Sequence, residues 1–299
     1  MKAYPIISVV IPTHSGSNVI SRAVDSVLSQ TYPNIEVVVV DDNGKGNEEQ
    51  LATEKQMAKY QLDDRVKYVV HDISRHGSAA RNTGVKNSKG VYIALLDDDD
   101  YFISNNIENH YNTLLSHDDS FGLSFCGMHI IHDGIEEDVM SQYEGEVLVD
   151  FLMGKIRVGS SLVMIKRSVY EEFNGFDESF KRHQDWEFLT RIFTKYKLAC
   201  TREVGVVKIN LNRNNAVNPN KFEDNRIYFL NKMSSIINSL PLTISKKIYD
   251  VHYGAIAKEY FRACKVIGVV KWSLKTSHPL ACFMNIIKSA FVFLTKRYK

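Results

Sequence analysis

The chain has 299 residues, 44% of them hydrophobic, which is enough for one large domain with an appendage and a substantial core. Its four cysteines (Cys126, Cys200, Cys264, Cys282) are widely spaced and form no CxxC pair, which argues against a disulfide frame or a zinc site and for unpaired thiols in a reducing compartment. The net charge of +2 conceals an asymmetry: from Asn225 onward thirteen basic residues stand against two acids, so that stretch carries +11 and the remainder −9, implying two surfaces with different partners.

The N-terminal MKAYPIISVVIP has a single basic residue and a short apolar run, and reads as a first strand rather than a signal peptide. Strand-like runs follow at 6–12, 35–42, 66–70 and 91–97. All are rich in β-branched residues and apolar on both faces, as strands of a sheet covered on both sides must be. Between them lie helical patterns. In 17–31 a stripe of Val19, Ala23, Val24, Val27 and Leu28 follows Ser17, the expected N-cap; 48–61 and the shorter 78–88 supply two more helices. The alternation predicts an α/β fold with a mostly parallel central sheet, flanking helices and right-handed crossovers.

After Asp100 the pattern changes. A helix is expected at about 104–116, then apolar strands at 121–131 and 134–140 joined as a hairpin at Asp133-Gly134. A helix near 146–153, a strand at 161–166 and a helix opening at Arg167-Ser168 come next. The GFDESF turn, a helix over 183–196, a strand at 204–212 and an Asn-rich loop, RNNAVNPNK, complete the body. From about 222 everything reads as helix, giving a domain over 1–222 and a basic helical extension over 223–299.

In an open parallel sheet, ligands collect outside the carboxyl ends of the strands. Asp41-Asp42 closes the second strand, Arg81-Asn82 precedes the fourth, and Asp97 to Asp100 closes it. Singly these read as a turn, a surface ion pair and a charged loop; one sheet edge brings them together. Four adjacent carboxylates raise one another's pKa unless a positive charge sits beside them.

The stretches SVVIPTHSGSNVISRAVDSVLSQTYPNIEVVVVDDN, GSAARNTGVKNSKGVYIALLDDDDYF and GFDESFKRHQDWEFLTRI resemble successive blocks of family 2 glycosyltransferases with the GT-A fold, over roughly residues 6 to 215. The resemblance implies an inverting, metal-dependent transfer of a sugar from a nucleoside diphosphate, UDP above all, to a hydroxyl of a glycan or lipid-linked acceptor in surface polysaccharide synthesis. By that resemblance Asp42, with Asp41 beside it, accepts from the nucleotide base. Pro12 and Thr13 line the same pocket, and Arg81 faces the nucleotide. Asp97, Asp98 and Asp99 match the D-x-D motif, with Asp97 and Asp98 on the nucleotide, Asp97 leaning on the ribose, and Asp99 and Asp97 on Mn²⁺ or Mg²⁺. Asp98 is expected to face outward, and Asp100 to cap the next helix or brace the loop. Asp185 matches the catalytic base, preceded by Gln184 where the family has Glu. His183, Gln184 and Trp186 are candidates for acceptor contact. Relatives carry a Y-R-x-H-like segment in a closing loop; here NLNRNNAVN offers only Arg213 for the phosphates.

Hard divalent ions favour carboxylate oxygen and bind through one or two protein acids plus phosphate, which a D-x-D supplies without a full protein cage. Two other readings compete. A sugar-nucleotide nucleotidyltransferase would open with a Gly-rich, Arg-containing loop where this chain has PTHSGSN; a non-catalytic glycan-binding relative would not need acids at 42, 97, 99 and 185. A dinucleotide-dependent dehydrogenase would need G-x-G-x-x-G.

Residues 279–294 are largely apolar but fall short of the ~20 residues of a spanning helix. Lys271 and Lys275 precede them, and Lys296, Arg297 and Lys299 follow. This predicts a helix lying on an anionic membrane surface, and hence a cytoplasmic protein peripheral on the inner face. The alternative is packing against the body or a second subunit as a homo-oligomer. Nucleic acid is not expected, for want of stacking platforms.

Overall fold

The computed structural model describes residues 4–132, 135–140, 142–157, 159–209 and 218–297, with side chains to residue 288. In chain order the elements are β1 (Ile7–Thr13), α1 (Ile20–Leu28), β2 (Ile35–Asp41), α2 (Glu48–Met57), β3 (Val66–Val70), α3 (His76–Lys86), β4 (Tyr92–Leu95), β5 (Asp100–Phe102), α4 (Asn106–Leu115), β6 (Phe121–His132), β7 (Ile135–Val139), α5 (Leu148–Leu152), β8 (Val163–Lys166), α6 (Arg167–Glu172), α7 (Gln184–Phe193), β9 (Lys197–Ile209), α8 (Pro219–Lys232), α9 (Ser234–Ser239), α10 (Leu242–Arg262), α11 (Val266–Ser273) and α12 (Pro279–Arg297). They divide into two compact units: Met1–Val147 with Ile156–Arg213, and Leu148–Lys155 with Asn214–Lys299.

The first unit holds a nine-stranded mixed sheet in the order β3-β2-β1-β4-β8-β6-β9-β5, with β7 paired to β6. β3, β2, β1 and β4 are parallel, β8 is antiparallel to β4 and β6, and β6 runs parallel to β9. Ile7, Val9, Val10 and Ile11 of β1 and Val37 to Val40 of β2 are fully buried, the outcome their two-faced apolar runs predict.

β5 follows β4 almost at once in sequence yet pairs with β9 and so stands four strands further along the sheet. Four strand spacings of a flat sheet come to roughly 19 Å, more than the roughly 17 Å that the chain from Leu95 to Asp100 reaches. The sheet therefore curls. Register shifts between β6 and β9 at Phe121/Leu123, Phe125/Gly127 and Gly127/Met128 bend the long strands as bulges do. The curl brings the acids after β4 against strands from the far end of the sheet.

Three local expectations are corrected. Ser17 is not the cap of α1: the chain turns at Ser15, with φ 55°, and the Gly16 carbonyl accepts from Val19 N and Ile20 N at 3.0 and 2.9 Å, so the helix starts later. Asp100 caps no helix either, since it lies in β5 and α4 opens only at Asn106. β6 and β7 pair as a hairpin, while the Asp133-Gly134 join and residues 213–217 of the expected Asn-rich loop lie outside the described residues; the rest of that loop expectation is corrected, since Asn218 caps α8 and Pro219 to Lys221 form its first turn.

The second unit is helical. Its core gathers Ile256, Ala257 and Tyr260 of α10, Val269 and Trp272 of α11, and Ile286 of α12. Glu223 of α8 accepts from Tyr260 Oη at 2.6 Å and from Trp272 Nε1 and Lys271 Nζ at 2.8 Å each. Burial alone would raise the Glu223 carboxyl; the three donors outweigh it and hold the group below its ordinary value. Among the described residues no helix is long and apolar enough to cross a membrane.

Candidate functional site at the carboxyl edge of the sheet

β1 ends at half-buried Pro12 and buried Thr13, whose hydroxyl donates to Asp98 Oδ2 at 2.6 Å. Asp98 thus turns inward, against the expectation that it faces out. Gly16 lies against the same carboxylate: a Cβ there would stand 2.0 Å from Asp98 Oδ2 and 2.6 Å from Thr13 Oγ1, so any larger residue displaces that pair. Burial first, then the charges of Asp99 and Asp97, push the Asp98 carboxyl up to about 6, with the Thr13 hydroxyl pulling the other way.

The other three acids of the run differ sharply from one another. Asp97 Oδ1 accepts from Arg81 Nη2 at 2.6 Å, and its backbone N–H donates to Ser161 Oγ at 3.0 Å. The same hydroxyl donates to Asp100 Oδ2 at 2.5 Å, and Lys208, opposite Asp100 in the β5–β9 pair, donates its ammonium to that oxygen too. Burial would raise Asp97, but Arg81 and Lys208 outweigh it and hold the group below the ordinary carboxylate range. Burial pushes Asp100 up to about 6 even with Lys208 beside it. Asp99 is held through its backbone, where the carbonyl accepts from Arg22 Nη2 at 2.6 Å. Its carboxylate makes no hydrogen bond or ion pair among the described residues.

Asp41 and Asp42 are built into the wall beside this edge. Asp41 is fully buried, accepting at Oδ1 from Asn43 N and Nδ2 at 2.9 and 2.8 Å and at Oδ2 from Tyr68 Oη at 2.5 Å. Asp42 takes four bonds from one loop: His71 Nδ1 (2.6 Å) and Arg75 N (2.7 Å) at Oδ1, Ser74 Oγ (3.0 Å) and His76 N (2.7 Å) at Oδ2. The left-handed φ of His76, 69°, points its amide and that of Arg75 at one carboxylate, the geometry of a backbone anion nest. His71 is fixed in turn by Thr83 Oγ1, 2.9 Å from Nε2.

Asp185 opens α7 and accepts from its neighbour's backbone, Trp186 N, at 3.0 Å. It borders a small apolar hollow with Leu95, Val163, Ile165, Phe176 and Phe188, and burial there raises its carboxyl; Asp97 adds to the rise and Arg81 opposes it. Arg81 is thus the shared countercharge of an acid from the strand end and an acid from the helix. It is 5% exposed and lies over the Phe176 ring at 5.7 Å, and its Nε is buried without a partner among the described residues.

The turn before α7 is fastened to α3 by the block that carries Arg81. Asn82 Oδ1 accepts from Tyr170 Oη at 2.6 Å and from Phe176 N at 2.9 Å, while Nδ2 donates to Phe176 O at 2.9 Å and Glu178 Oε1 at 3.1 Å. Ser78 Oγ donates to Phe180 O at 3.1 Å. From the other side, Arg191 of α7 pairs with buried Glu187 and donates Nη2 to Gly175 O at 2.7 Å. Gln184 sits beside Arg81, each side chain approaching the position a Cβ on Gly77 would fill. His183, left-handed at φ 61°, places its ring 5.7 Å from that of Trp186.

The edge thus brings together Thr13, Arg81, Asp97, Asp98 and, through their mutual charge, Asp185, with Asp99 unpaired at the link to β5. Asp41 and Asp42 serve the adjoining wall, and Arg213 lies outside the described residues. Sequence reasoning missed Arg22, Ser161 and Lys208, single residues from remote elements. Among the described residues no cluster of three or more His, Cys, Asp or Glu side chains could hold a metal ion. The donor set suits a hard cation that takes most of its ligands elsewhere: among the described residues Asp99 has both oxygens unbound, and Asp97 keeps Oδ2 beyond its bond to Arg81.

Residues 8–136 match the model of glycosyl transferase family 2. The chain is 29% identical over 206 residues to an uncharacterized glycosyltransferase of Rickettsia prowazekii, covering 67% of this chain and 62% of that protein. It is 33% identical over 116 residues to the UDP-Glc:alpha-D-GlcNAc-diphosphoundecaprenol beta-1,3-glucosyltransferase WfgD of Escherichia coli, covering 39% of this chain and 44% of the relative. In both, the match spans less than two thirds of the relative's length. The mannosyltransferase PcManGT of Pyrobaculum calidifontis, solved with GDP-Man and Mn²⁺, superposes with a TM-score of 0.63 at 17% identity, covering 99% of this chain and 83% of that one. Residues 8–136 are therefore similar to glycosyl transferase family 2, and the chain shares a GT-A-like fold with that mannosyltransferase.

Proposed function

We propose that the chain transfers a sugar from a nucleoside diphosphate donor, UDP-linked as in the relative WfgD, to a hydroxyl of a glycan or lipid-linked acceptor, with inversion at the anomeric carbon. The observation that carries this reading is the ion pair of Arg81 with Asp97 at the strand end, its charge also acting on Asp185, with an Asp99 carboxylate, close to Asp97 in sequence, unpaired among the described residues.

In this reading Asp99 and Asp97 would hold Mn²⁺ or Mg²⁺, which would supply Lewis-acid stabilisation of the charge on the diphosphate. Arg81 adds a fixed positive charge to that side. Asp185 takes the proton of the acceptor hydroxyl as its oxygen attacks; a carboxylate raised by burial is a stronger base than one in water. A single displacement with base and leaving group on opposite faces inverts the centre. Thr13 and the turn at Gly16 floor the nucleotide pocket. Asp42, saturated by residues 71–76, shapes the wall through that loop and offers no free oxygen to the base.

The test is donor hydrolysis and UDP calorimetry with and without Mn²⁺, on wild type, Asp99→Ala and Asp185→Asn. Asp99→Ala loses the Mn²⁺-dependent part of UDP binding, and Asp185→Asn keeps binding while losing transfer. Metal-independent binding in wild type, or full turnover in Asp185→Asn, overturns the assignment.

A further inference from the structure

We propose that α11 and α12 form a docking surface for an anionic lipid bilayer, attaching the helical unit as a peripheral element. α11 is apolar on both sides. Gly268, Val269, Trp272 and Ser273 are buried, whereas Val266, Ile267, Val270 and Leu274, the residue that follows the helix, face solvent, Ile267 at 87% exposure. At 3.6 residues per turn these four fall within a sector of about 100°. A helix apolar all round belongs inside a larger core or against lipid.

α12 repeats the arrangement. Ile286 enters the core, while Leu280, Phe283, Met284 and Ile287 are exposed at the i, i+3, i+4, i+7 spacing of one helix face, Leu280 at 83%. Both helices bury their other sides in the same core. Eight large apolar side chains left in solvent on two packed helices exceed the scattered exposure of an ordinary surface.

The charges select the occupant. Lys265, Lys275 and Lys288 are exposed and make no ion pair among the described residues; Lys275 lies over the Trp272 ring at 4.5 Å. Arg262 and Lys271 are paired, to Glu259 at 2.6 Å and Glu223 at 2.8 Å, and Asp250 accepts from Ser277 N. A second copy of the chain would set one lysine rim against another. Anionic headgroups meet that rim with opposite charge, and the apolar stripes enter the acyl boundary beneath. This surface stands independently of the reading of the sheet edge.

The test is flotation of the full chain with vesicles of phosphatidylcholine alone and of equal parts phosphatidylcholine and phosphatidylglycerol, with UDP binding and circular dichroism measured on every variant. Wild type floats with the anionic vesicles and less so in high salt. Ile267→Glu and Met284→Glu each weaken partition by about tenfold or more, the loss of one large apolar contact, with dichroism and UDP binding unchanged. Replacing Lys265, Lys275 and Lys288 with Gln removes the preference for phosphatidylglycerol. Ile267→Ser serves if the glutamate variant aggregates. Failure of wild type to float, undiminished flotation of the variants, or a wild-type dimer that Ile267→Glu dissociates without any lipid affinity overturns the proposal.

Discussion

Lys208 and Asp100 face each other across the β5–β9 pair, and the ammonium is the countercharge of a carboxylate side chain only 3% exposed. Removing Lys208 leaves the buried carboxylate with the Ser161 hydroxyl but no countercharge. Lys208→Met should therefore destabilise the first unit by about 3–5 kcal/mol, and adding Asp100→Asn should recover part of that. Urea unfolding of the two single variants and the double variant measures the coupling. An unchanged midpoint in Lys208→Met would show that water already satisfies Asp100.

Gly16→Ala puts a methyl group where Asp98 Oδ2 lies. The carboxylate must leave Thr13, at an overpacking cost of about 1–3 kcal/mol. Thermal melting with and without UDP should show a lower midpoint and a smaller nucleotide-induced rise than wild type; equal rises would dissociate this turn from donor binding.

Asn82→Ala removes three hydrogen bonds between α3 and the 176–178 turn and a fourth to Tyr170 of α6, and strands the groups it served. The expected loss is about 2–3 kcal/mol, with faster proteolysis near 175–182. Transfer should fall further than donor affinity, because the turn leads to Asp185 and not to the strand ends. Comparing kcat with KM for the donor checks this.

Glu223 is held below its ordinary carboxyl value by Lys271, Tyr260 and Trp272. A group depressed in the folded state contributes stability above its unfolded pKa and loses it as pH falls through the folded value. The helical unit should accordingly weaken on acidification below the ordinary glutamate range, and Glu223→Gln should flatten that dependence while costing about 2 kcal/mol at neutral pH. Melting curves across the acid range of both proteins provide the comparison.

The parallel half of the sheet was legible because β1 and β2 are buried on both faces, so their composition reports their position directly. The place of Asp97 and Asp99 just past the end of β4 was legible because they follow a buried apolar run. Lys208, Ser161 and Arg22 were not: each is one residue on a distant element, and only the curl of the sheet carries it to the acids. Ser17 misled for a local reason, since a backbone carbonyl, at Gly16, does the capping and leaves no mark in the side-chain sequence. The inward turn of Asp98 was equally hidden, because it depends on Thr13, 85 positions away.

The four hydrogen bonds of Asn82 tie residues far apart in sequence into one heritable part. The helix that presents Arg81 and the turn that presents Asp185 cannot be exchanged separately with those of a relative, since either half transplanted alone arrives without its fastening. Chimaeras that change acceptor preference by crossing over between residues 100 and 160 should inherit a mismatched clamp, whereas exchanges that carry 76–86 and 170–193 together should keep it.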